Sequence, residues 1–351
     1  MSFRLTAITV CISIIFLSSA VITVSDDFYG AWTNPTGDPV GGGAGYSDIV
    51  STGDFTVSTL EELTNALKKV KSGELVFVKN DAVITVNGVS DIVIPEGVTL
   101  ASGRSGETSG AIIQTVTMNL RPLITVGGDN VRITGIRFRG PDMERRIEHF
   151  KQLWAEGGRE AFYSIDNSDG IISTYSGLEV DNCELWGWSH AAIFLKKGAH
   201  EAHIHHNYIH HNQRAHLGYG VSMDQSSALI EANLFDWCRH HIAGTGRPET
   251  SYEARYNIVL PNANGHSFDM HGGRDRGDGT HIAGDTILIH HNVFMAVDVP
   301  AFMIRGVPRE TAEIHHNWFF HEASGKVVLQ TNKEGNMTVR DNVYGMGRVR
   351  K

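Results

Sequence analysis

The stretch AEIHHNWF, residues 312–319, contains the tetrapeptide Ile-His-His-Asn, which also occurs at residues 204–207 and 289–292. Alignment on its asparagine extends the pattern to seven segments. Their asparagines are Asn182, Asn207, Asn233, Asn257, Asn292, Asn317 and Asn342, with spacings of 25, 26, 24, 35, 25 and 25 residues. The single long step contains GGRDRGDGTH, residues 272–281. The second half of the chain is therefore built from repeats.

Each repeat has alternating apolar residues, then the asparagine, then a second short apolar run, with Gly-rich turns and almost no helical periodicity. Such a unit cannot bury its own apolar face, so neighbouring units must stack along an axis. The pattern predicts an all-β fold, a single-stranded right-handed parallel β-helix.

The repeated asparagine and histidines suggest either a structural ladder or a metal site. An asparagine at one turn of every coil can bond the backbone of the next coil. In the column of His205, other repeats carry Glu231, Arg255 or Arg340, so the histidines are not invariant ligands. The ladder is the preferred interpretation, although His203, His205 and His206 could bind a stray transition metal.

The first 20 residues have the composition of a secretion signal. Arg4 precedes an apolar run from Leu5 to Leu17, and Ser18-Ser19-Ala20 supplies small residues for cleavage. An uncleaved anchor is the alternative. We expect residues 21–351 to form one secreted domain, extracellular or periplasmic, and a monomer.

The charge and cysteine content narrow the function classes. The net charge is −9, and removal of the leader with Arg4 makes it one unit more negative, which argues against a nucleic-acid partner. With Cys11 in the leader, Cys183 and Cys238 remain, two repeats and about 10 Å apart at one strand spacing per repeat. We expect buried thiols and no disulfide.

Two segments carry helical patterns. Residues 59–70 place Leu60, Leu63 and Leu67 on one face, and Ser58 and Glu61 form a capping-box pattern, as expected for a helix that covers the first coil. Residues 141–168 interrupt the coils with a helical excursion, which would be either a patch on the flank or a wall over a groove.

The opening segments resemble those of the pectate lyase superfamily. They are FTVSTLEELTNALKKV (55–70), VIPEGVTLASG (93–103) and DNVRITGIRFRG (129–140). The resemblance implies the same β-helix over most of the mature chain. The Arg and Asp motifs of true pectate lyases are absent, so neither their substrate nor their catalytic residues are transferred.

The second strand after each asparagine predicts a groove. If Ile193, Val221, Ile242, Phe268 and Phe302 face inward, alternate residues face outward. The first outward column is Phe194, Ser222, Ala243, Asp269 and Met303, and the second is Lys196, Asp224, Thr245, His271 and Arg305. His241 stands one position before the inward Ile242. A Lys, an Arg, two Asp and two His on one sheet face indicate a binding site for an acidic polysaccharide.

The flanking turns add Arg247 and Tyr252, and Arg274, Asp275, Arg276 and Asp278. We expect Lys196, Asp224, Arg247, Arg274 and Arg276 to contact substrate. The two carboxylates of the second turn make Ca²⁺ a possible cofactor, although their spacing is not that of a calcium loop, and no residue is assigned as a metal ligand.

Ser267-Phe268-Asp269-Met270-His271 is similar to the catalytic Asp-x-His strand of mannuronan C5-epimerases, which implies matching roles for Asp269 and His271 and, without alignment, for Arg305. Polyuronate lyases and C5-epimerases both remove the C5 proton next to a neutralised carboxylate. We expect Arg305 to bind that carboxylate, His271 to act as the base, Asp269 to orient its ring, and His241 or Tyr252 to handle a second proton.

A polysaccharide lyase is the preferred function, with a C5-epimerase as the alternative. A glycoside hydrolase would need two carboxyl groups, for which Asp224 and Asp269 are candidates. A non-catalytic carbohydrate-binding or structural β-helix is the remaining class, because the fold alone does not imply catalysis.

Overall fold

A computed structural model describes residues 28–88, 92–330, 335–347 and 349–350 of the chain. The predicted secretion signal and Cys11 lie outside these residues. Within the described ranges, no helix is both long and apolar enough to span a membrane.

Three sheets run along the molecule, and from Leu75 to Tyr344 the chain visits them in the order A, B, C. Sheet A contains Phe55–Val57, Leu75–Val78, Thr99–Ala101, Arg132–Thr134, Glu179–Asp181, Ala202–His205, Ser227–Glu231, Ser251–Arg255, Thr286–His290, Thr311–His315 and Met337–Arg340. Sheet B contains Val83–Thr85, Ile112–Gln114, Arg137–Arg139, Glu184–Trp186, Tyr208–His210, Leu234–Asp236, Ile258–Val259, Val293–Phe294, Trp318–Phe319, Val343–Tyr344 and Val349–Arg350. Sheet C contains Ile92–Ile94, Ile124–Val126, Asp169–Ser173, Ala191–Leu195, Tyr219–Met223, His240–Gly244, Phe268–Met270, Phe302–Ile304 and Val328–Gln330.

All strand pairs are parallel except that of Val349–Arg350 with Val343–Tyr344 at the end of the described chain. The predicted all-β parallel β-helix is confirmed. Its interior is filled by apolar columns from all three sheets, in which equivalent residues of successive coils stack. In sheet A one inner column is Val180, Ile204, Ile230, Ala254, Ile289 and Ile314, all fully buried, and a second inner column includes Ala228 and Ile287.

The asparagine ladder lies at the corner between sheets A and B. Asn207, Asn233, Asn257, Asn292, Asn317 and Asn342 are buried, and each Nδ2 donates to the Oδ1 of the next at 2.9–3.0 Å. The same Oδ1 also accepts the backbone N–H of the preceding asparagine. The ladder therefore satisfies donors and acceptors that would otherwise be buried without partners.

The residue before each ladder asparagine adopts a left-handed conformation that turns the chain from sheet A to sheet B. His206, Ala232, Tyr256, His291 and His316 have φ between 51° and 55°. This tight corner explains why the asparagine side chain points along the axis and not outward.

The ladder position predicted for Asn182 is wrong by one residue. Asp181 pairs with His205, so Cys183 occupies the position of Asn207 and Asn182 has the left-handed backbone. The ladder ends where the Oδ1 of Asn207 accepts the backbone N–H of Cys183 at 2.9 Å. Both Cys183 and Cys238 are buried free thiols, as predicted, and burial raises the pKa of each to about 12.

The first helix, α1 (Leu60–Leu67), packs against the first strands and buries Leu63 and Leu67. Its capping box lies one residue later than predicted. Thr59 Oγ1 accepts the backbone N–H of Glu62, whose carboxylate accepts the backbone N–H of Thr59. The two remaining helices are α2 (Ile147–Tyr163), kinked at Gly158, and the short α3 (Gly273–Arg276).

We predict that Asn257→Ala lowers the free energy of unfolding by about 3 kcal/mol, because it removes buried hydrogen bonds to Asn233 and Ile230 and one of the two hydrogen bonds to Asn292 Oδ1. The matched control is Asn262→Ala, which removes one 3.4 Å hydrogen bond at a half-buried site and should cost less than about 1 kcal/mol. Denaturant unfolding measures both. Equal losses in the two variants would contradict the role of the ladder.

Candidate functional site

The outward face of sheet C carries the predicted columns. The strands pair so that Phe194, Ser222, Ala243, Asp269 and Met303 are in register, and the core residues Ile193, Val221, Ile242, Phe268 and Phe302 are fully buried. Lys196, Asp224, Thr245, His271 and Arg305 each follow the last paired residue of their strands. We call this face the groove.

One predicted groove residue is in the core instead. His241 is fully buried, its ring lies 5.5 Å from that of Phe235, and neither ring nitrogen has a hydrogen-bond partner. The backbone N–H groups of both His241 and Ile242 approach the carbonyl of Ser267, so the strand is locally bulged and two successive side chains point inward. Burial lowers the pKa of His241 to about 3. The expectation that His241 faces the groove is wrong.

Tyr252 also lies in the core. It stands in the inner column of sheet A between Ala228 and Ile287, and its side chain is buried. Burial raises its pKa above the ordinary value for tyrosine. Because its hydroxyl does not reach the groove, Tyr252 cannot exchange a proton with a polymer bound there.

Asp269 is the centre of the groove. Its carboxylate is fully buried and accepts hydrogen bonds from Arg305, with Nε to Oδ1 at 3.1 Å and Nη2 to Oδ2 at 3.0 Å. His271 Nε2 lies 2.9 Å from Oδ2, and His266 Nε2 lies 3.0 Å from Oδ1. His240 Nε2 is 3.8 Å from Oδ2. Three imidazoles and one guanidinium therefore surround a single carboxylate.

This environment keeps Asp269 ionised. Burial by itself raises the pKa of a carboxyl group, but the charge of His271 and hydrogen bonds from His266 and His271 outweigh that effect, so the pKa of Asp269 lies well below its usual range. Asp269 is thus suited to orient and stabilise cations, and not to donate a proton.

His271 is the member of the cluster most open to solvent, with 28% of its side chain exposed. An Nε2–H that donates to Asp269 leaves the lone pair on Nδ1. Among the described residues, Nδ1 of His271 has no hydrogen-bond partner. The arrangement is that of an imidazole oriented by a carboxylate to act as a general base.

His240, the neighbour of the misplaced His241, faces the Asp269 cluster, although only 1% of its side chain is exposed. Its Nδ1 donates to the carbonyl of His266 at 2.6 Å, and its ring stacks on Tyr219 at 5.8 Å. Burial, followed by the charge of Arg239, lowers the pKa of His240 well below the ordinary value, so the ring is neutral. Arg239 in turn donates to the hydroxyl of Tyr219 at 3.2 Å. Sequence reasoning missed His240 and Tyr219 because it assumed uninterrupted alternation.

The loop that carries α3 forms a cleft of about 540 Å³ beside the cluster. Arg305, Arg274, Thr280 and His281 line it, and Arg274 is exposed. The Nη1 of Arg305 points to this side, 3.5 Å from Asp275. A ligand in the cleft therefore meets two guanidinium groups.

Arg276 is not available for substrate. Its guanidinium donates to the carbonyls of Thr245 and Ile282, at 2.7 and 3.0 Å, and to Asp278 at 2.6 Å. It holds the loop against the coil, so the expectation that it contacts substrate is wrong. Asp278 also accepts from Thr280, and hydrogen bonds from Thr280 lower its pKa to about 2. Asp275 and Asp278 each face a different arginine, Arg305 and Arg276, and Ca²⁺ binding by this turn stays a prediction.

The other predicted contacts lie along the same edge of the groove. Arg247 Nη1 pairs with both oxygens of Asp224 at 2.8 and 2.9 Å, and Asp224 also accepts from Thr245 at 2.6 Å. Lys196 lies over the ring of Phe194, with Nζ 5.7 Å from its centroid. Lys196 is therefore free of a carboxylate partner among the described residues, whereas the charges of Arg247 and Asp224 compensate each other.

A second cluster of the same composition occupies the groove nearer the N-terminus. Asp169 is fully buried, with His190 Nδ1 at 2.5 Å and Arg121 Nε at 2.5 Å. His190 and the charge of Arg121 hold the pKa of Asp169 below its usual range, although its burial acts in the opposite direction. Its three residues are far apart in the chain, so no local sequence pattern indicated it.

The helical excursion borders the groove. In α2, Phe150 stacks on His216 with ring centroids 3.7 Å apart, and Asp142, just before the helix, pairs with Arg214 at 3.1 Å. His216 and Arg214 belong to the loop that leads into the sheet C strand Tyr219–Met223. These contacts favour a role for the excursion as a wall of the groove over a role as a patch on the flank of the β-helix.

Two groups of described residues have ligand atoms close enough to hold a metal ion. In the groove they are His240, His266 and Asp269, all within 4.8 Å of one another. Arg305 already occupies both oxygens of that aspartate, and thereby supplies a positive charge where a metal ion would. The other group, on sheet A, lies outside the groove.

Comparison with known proteins supports the fold. No family model and no curated protein matches the chain. The alginate lyase from Paenibacillus sp. str. FPU-7 aligns over 85% of this chain and 99% of its own, with a TM-score of 0.55 and 14% identity. The A-module of the mannuronan C-5 epimerase AlgE6 of Azotobacter vinelandii aligns over 83% of this chain and 99% of its own, with a TM-score of 0.48 and 10% identity. The likeness to the alginate lyase supports the β-helix as the fold, and at 14% identity it extends no further.

We predict that His241→Leu stabilises the protein, because it replaces a buried imidazole without hydrogen bonds by an apolar side chain. Unfolded histidine takes up a proton below its ordinary pKa, whereas folded His241 stays neutral down to about 3, so the wild type loses stability as the pH falls. The gain should therefore be about 2 kcal/mol larger at about pH 5 than at neutral pH.

Denaturant unfolding at several pH values measures this gain. The control is His200→Leu, at a half-buried imidazole beside Ser227, which should show no comparable pH dependence. A gain for His241→Leu that does not change with pH would mean that the imidazole is solvated, contrary to its position in the core.

Proposed function

We propose that the protein is a polysaccharide lyase that removes the C5 proton of a uronate residue in the groove and cleaves the 4-linked chain by β-elimination. The observation that supports this most directly is the buried Asp269 carboxylate, which orients His271 while Arg305 lies against it. Base and cation are thereby held next to one another on an open polymer-binding face.

The first requirement of the reaction is neutralisation of the C5 carboxylate. Arg305 binds Asp269 through Nε and Nη2, which leaves Nη1 directed to the cleft that Arg274 also lines. Two guanidinium groups can bind one carboxylate, and their charge stabilises the enolate that develops when the C5 proton leaves. Arg274 thus joins Arg305 as a binder of the C5 carboxylate, a role that was first expected for Arg305 alone.

Proton transfer falls to His271. Its Nδ1 takes the C5 proton, and the electron pair of the C5–H bond forms the C4–C5 double bond as the C4–O4 bond breaks. The imidazolium then returns the proton to the leaving O4. Asp269 stabilises this imidazolium because it is itself fixed in the ionised state.

The groove has the length that a polymer requires. Asp169 and Asp269 lie on strands four apart in sheet C, which at about 4.8 Å per strand separates the two clusters by roughly 20 Å. Several sugar residues would span this distance. A chain bound along sheet C would meet Arg121, Lys196 and Arg305 in order.

C5 epimerisation is the second candidate. It shares the first step but needs a second proton carrier on the other face of the sugar. His240 and Tyr219 are placed one and two strands before Asp269, and His240 approaches the same Oδ2 as His271. In this reading, they replace His241 and Tyr252 as partners for the second proton.

A hydrolase is disfavoured by the state of the carboxylates. Its general acid must carry a proton at working pH, which requires a raised pKa. The environment of Asp269 lowers its pKa instead, and Asp224 is paired with Arg247. A purely adhesive role does not require a buried carboxylate, Asp269, that orients the imidazole of His271.

The remaining parts of the proposal concern the setting of the enzyme. We propose that residues 1–20 direct export, that the mature enzyme works outside the cytoplasm as a monomer, and that its partner is an acidic polysaccharide and not nucleic acid. The net negative charge agrees with the last point, because nucleic acid is itself an anion.

We predict that incubation with a panel of polyuronates produces the ultraviolet absorbance of the unsaturated product on at least one polymer. His271→Ala should reduce the rate at least about 100-fold because the base is lost, with the circular dichroism spectrum unchanged. His200→Ala, a half-buried histidine away from the cluster, should retain the wild-type rate.

The outcomes separate the candidates. Absorbance that His271→Ala does not reduce would overturn the catalytic assignment. Incorporation of solvent deuterium at C5 without new absorbance would identify the epimerase, and cleavage without either signal would identify a hydrolase.

A further inference from the structure

A second cluster of chemistry-bearing side chains lies on the outer face of sheet A, away from the groove. Glu179, His203 and His205 present one ligand atom each, and these atoms lie within 4.8 Å of one another. Nε2 of His205 is 3.0 Å from Oε1 of Glu179, and the two imidazole centroids are 4.0 Å apart. Two histidines at alternate positions of one strand project to the same side, so the backbone itself brings their rings together.

A second carboxylate completes the set. Oε2 of Glu231, on the next coil, is 3.3 Å from Nε2 of His203, while its Oε1 accepts from Arg255 at 2.7 Å. The strand Ala202–His205 thus offers two imidazoles. Glu179 approaches them diagonally from the preceding coil and Glu231 from the following one. In the register of sheet A, Glu179 stands opposite His203 and Glu231 opposite His205, so each carboxylate contacts the histidine diagonal to it.

The ring of His205 is oriented through its second nitrogen, Nδ1. Its Nδ1 lies 2.8 Å from Nδ1 of His206, whose Nε2 lies 2.9 Å from Oγ1 of Thr36. A hydrogen bond to the other ring nitrogen is the usual support of a metal-binding histidine.

The local charge favours a divalent cation. Five carboxylates and two guanidinium groups belong to the ion-pair network around the two imidazoles; they are Asp48, Glu179, Asp181, Glu231 and Glu253, and Arg132 and Arg255. The carboxylates therefore outnumber the guanidinium groups. Arg132 does not block Glu179, because its three short contacts go to Asp181 and Asp48 and its distance to Glu179 is 3.7 Å.

We propose that Glu179, His203 and His205 form a binding site for a borderline divalent transition metal such as Zn²⁺, with Glu231 as a neighbouring carboxylate. Two imidazoles and a carboxylate are a ligand set that Zn²⁺ accepts, with a fourth position open to water. Bonds of about 2.0–2.1 Å hold tetrahedral ligand atoms roughly 3.4 Å apart, so the longest separation must contract by about 1 Å. The half-exposed Glu179 and His203 side chains have room for that movement. The bound ion would tie two coils together.

The test uses the full chain without a histidine tag, freed of metal by chelator and titrated with Zn²⁺ by calorimetry. We expect one equivalent of Zn²⁺ whose affinity falls at least about 10-fold in His205→Ala and in Glu179→Gln. The matched control is His315→Ala, four coils further along in the same outward column as His205, which should retain the wild-type affinity. Circular dichroism verifies that each variant is folded.

Three results would overturn the proposal. One is the absence of a stoichiometric Zn²⁺ site in the wild type. Another is an equal loss of affinity in His315→Ala, which would mean that surface histidines bind the ion without a defined site. The third is a site that His266→Gln removes and His205→Ala does not, which would place the ion in the groove.

Discussion

Each coil of this protein depends on its neighbours for hydrogen bonds, since no coil can pair its own strands. At the corner between sheets A and B, the asparagine ladder adds side-chain hydrogen bonds between coils. There Asn207 to Asn342 bond one another and the adjacent backbone in the buried interior. Because the ladder and the apolar columns hold the coils in register, outward residues of successive coils are also held in register. The groove on sheet C is a direct consequence, and its chemistry depends on this spacing.

Within the groove, burial and charge act against each other on one carboxyl group. Burial alone would make Asp269 a weak acid, and the surrounding His271, His266 and Arg305 reverse that effect. The result is a permanent anion beneath a polar face, which fixes its cationic neighbours in position and stabilises a proton on imidazole. The same balance recurs at Asp169 with His190 and Arg121, so a polymer along sheet C would pass two sites of similar construction.

The period and the alternation of apolar residues were sufficient to predict the fold class, the core columns and the outward positions of Asp269, His271 and Arg305. They failed where backbone geometry departs from regular alternation. The bulge at His241 exchanged it with His240, and the pairing of Asp181 with His205 moved Asn182 out of the ladder. Arg121, Asp169 and His190 come from distant segments, so only the fold brings them together. Arg276 was misassigned because charge alone does not reveal which arginines are already bonded.

Removal of the C5 proton of a uronate is the step on which the proposed function of the groove depends. Mass spectrometry and NMR of polyuronates after incubation in D₂O measure that step directly, because it precedes both elimination and epimerisation. We predict deuterium at C5, or an unsaturated product, on at least one polymer with the wild type, and neither with Asp269→Asn, which leaves His271 without its ionised partner. Unchanged C5 protons on every polyuronate, or undiminished exchange with Asp269→Asn, would contradict it.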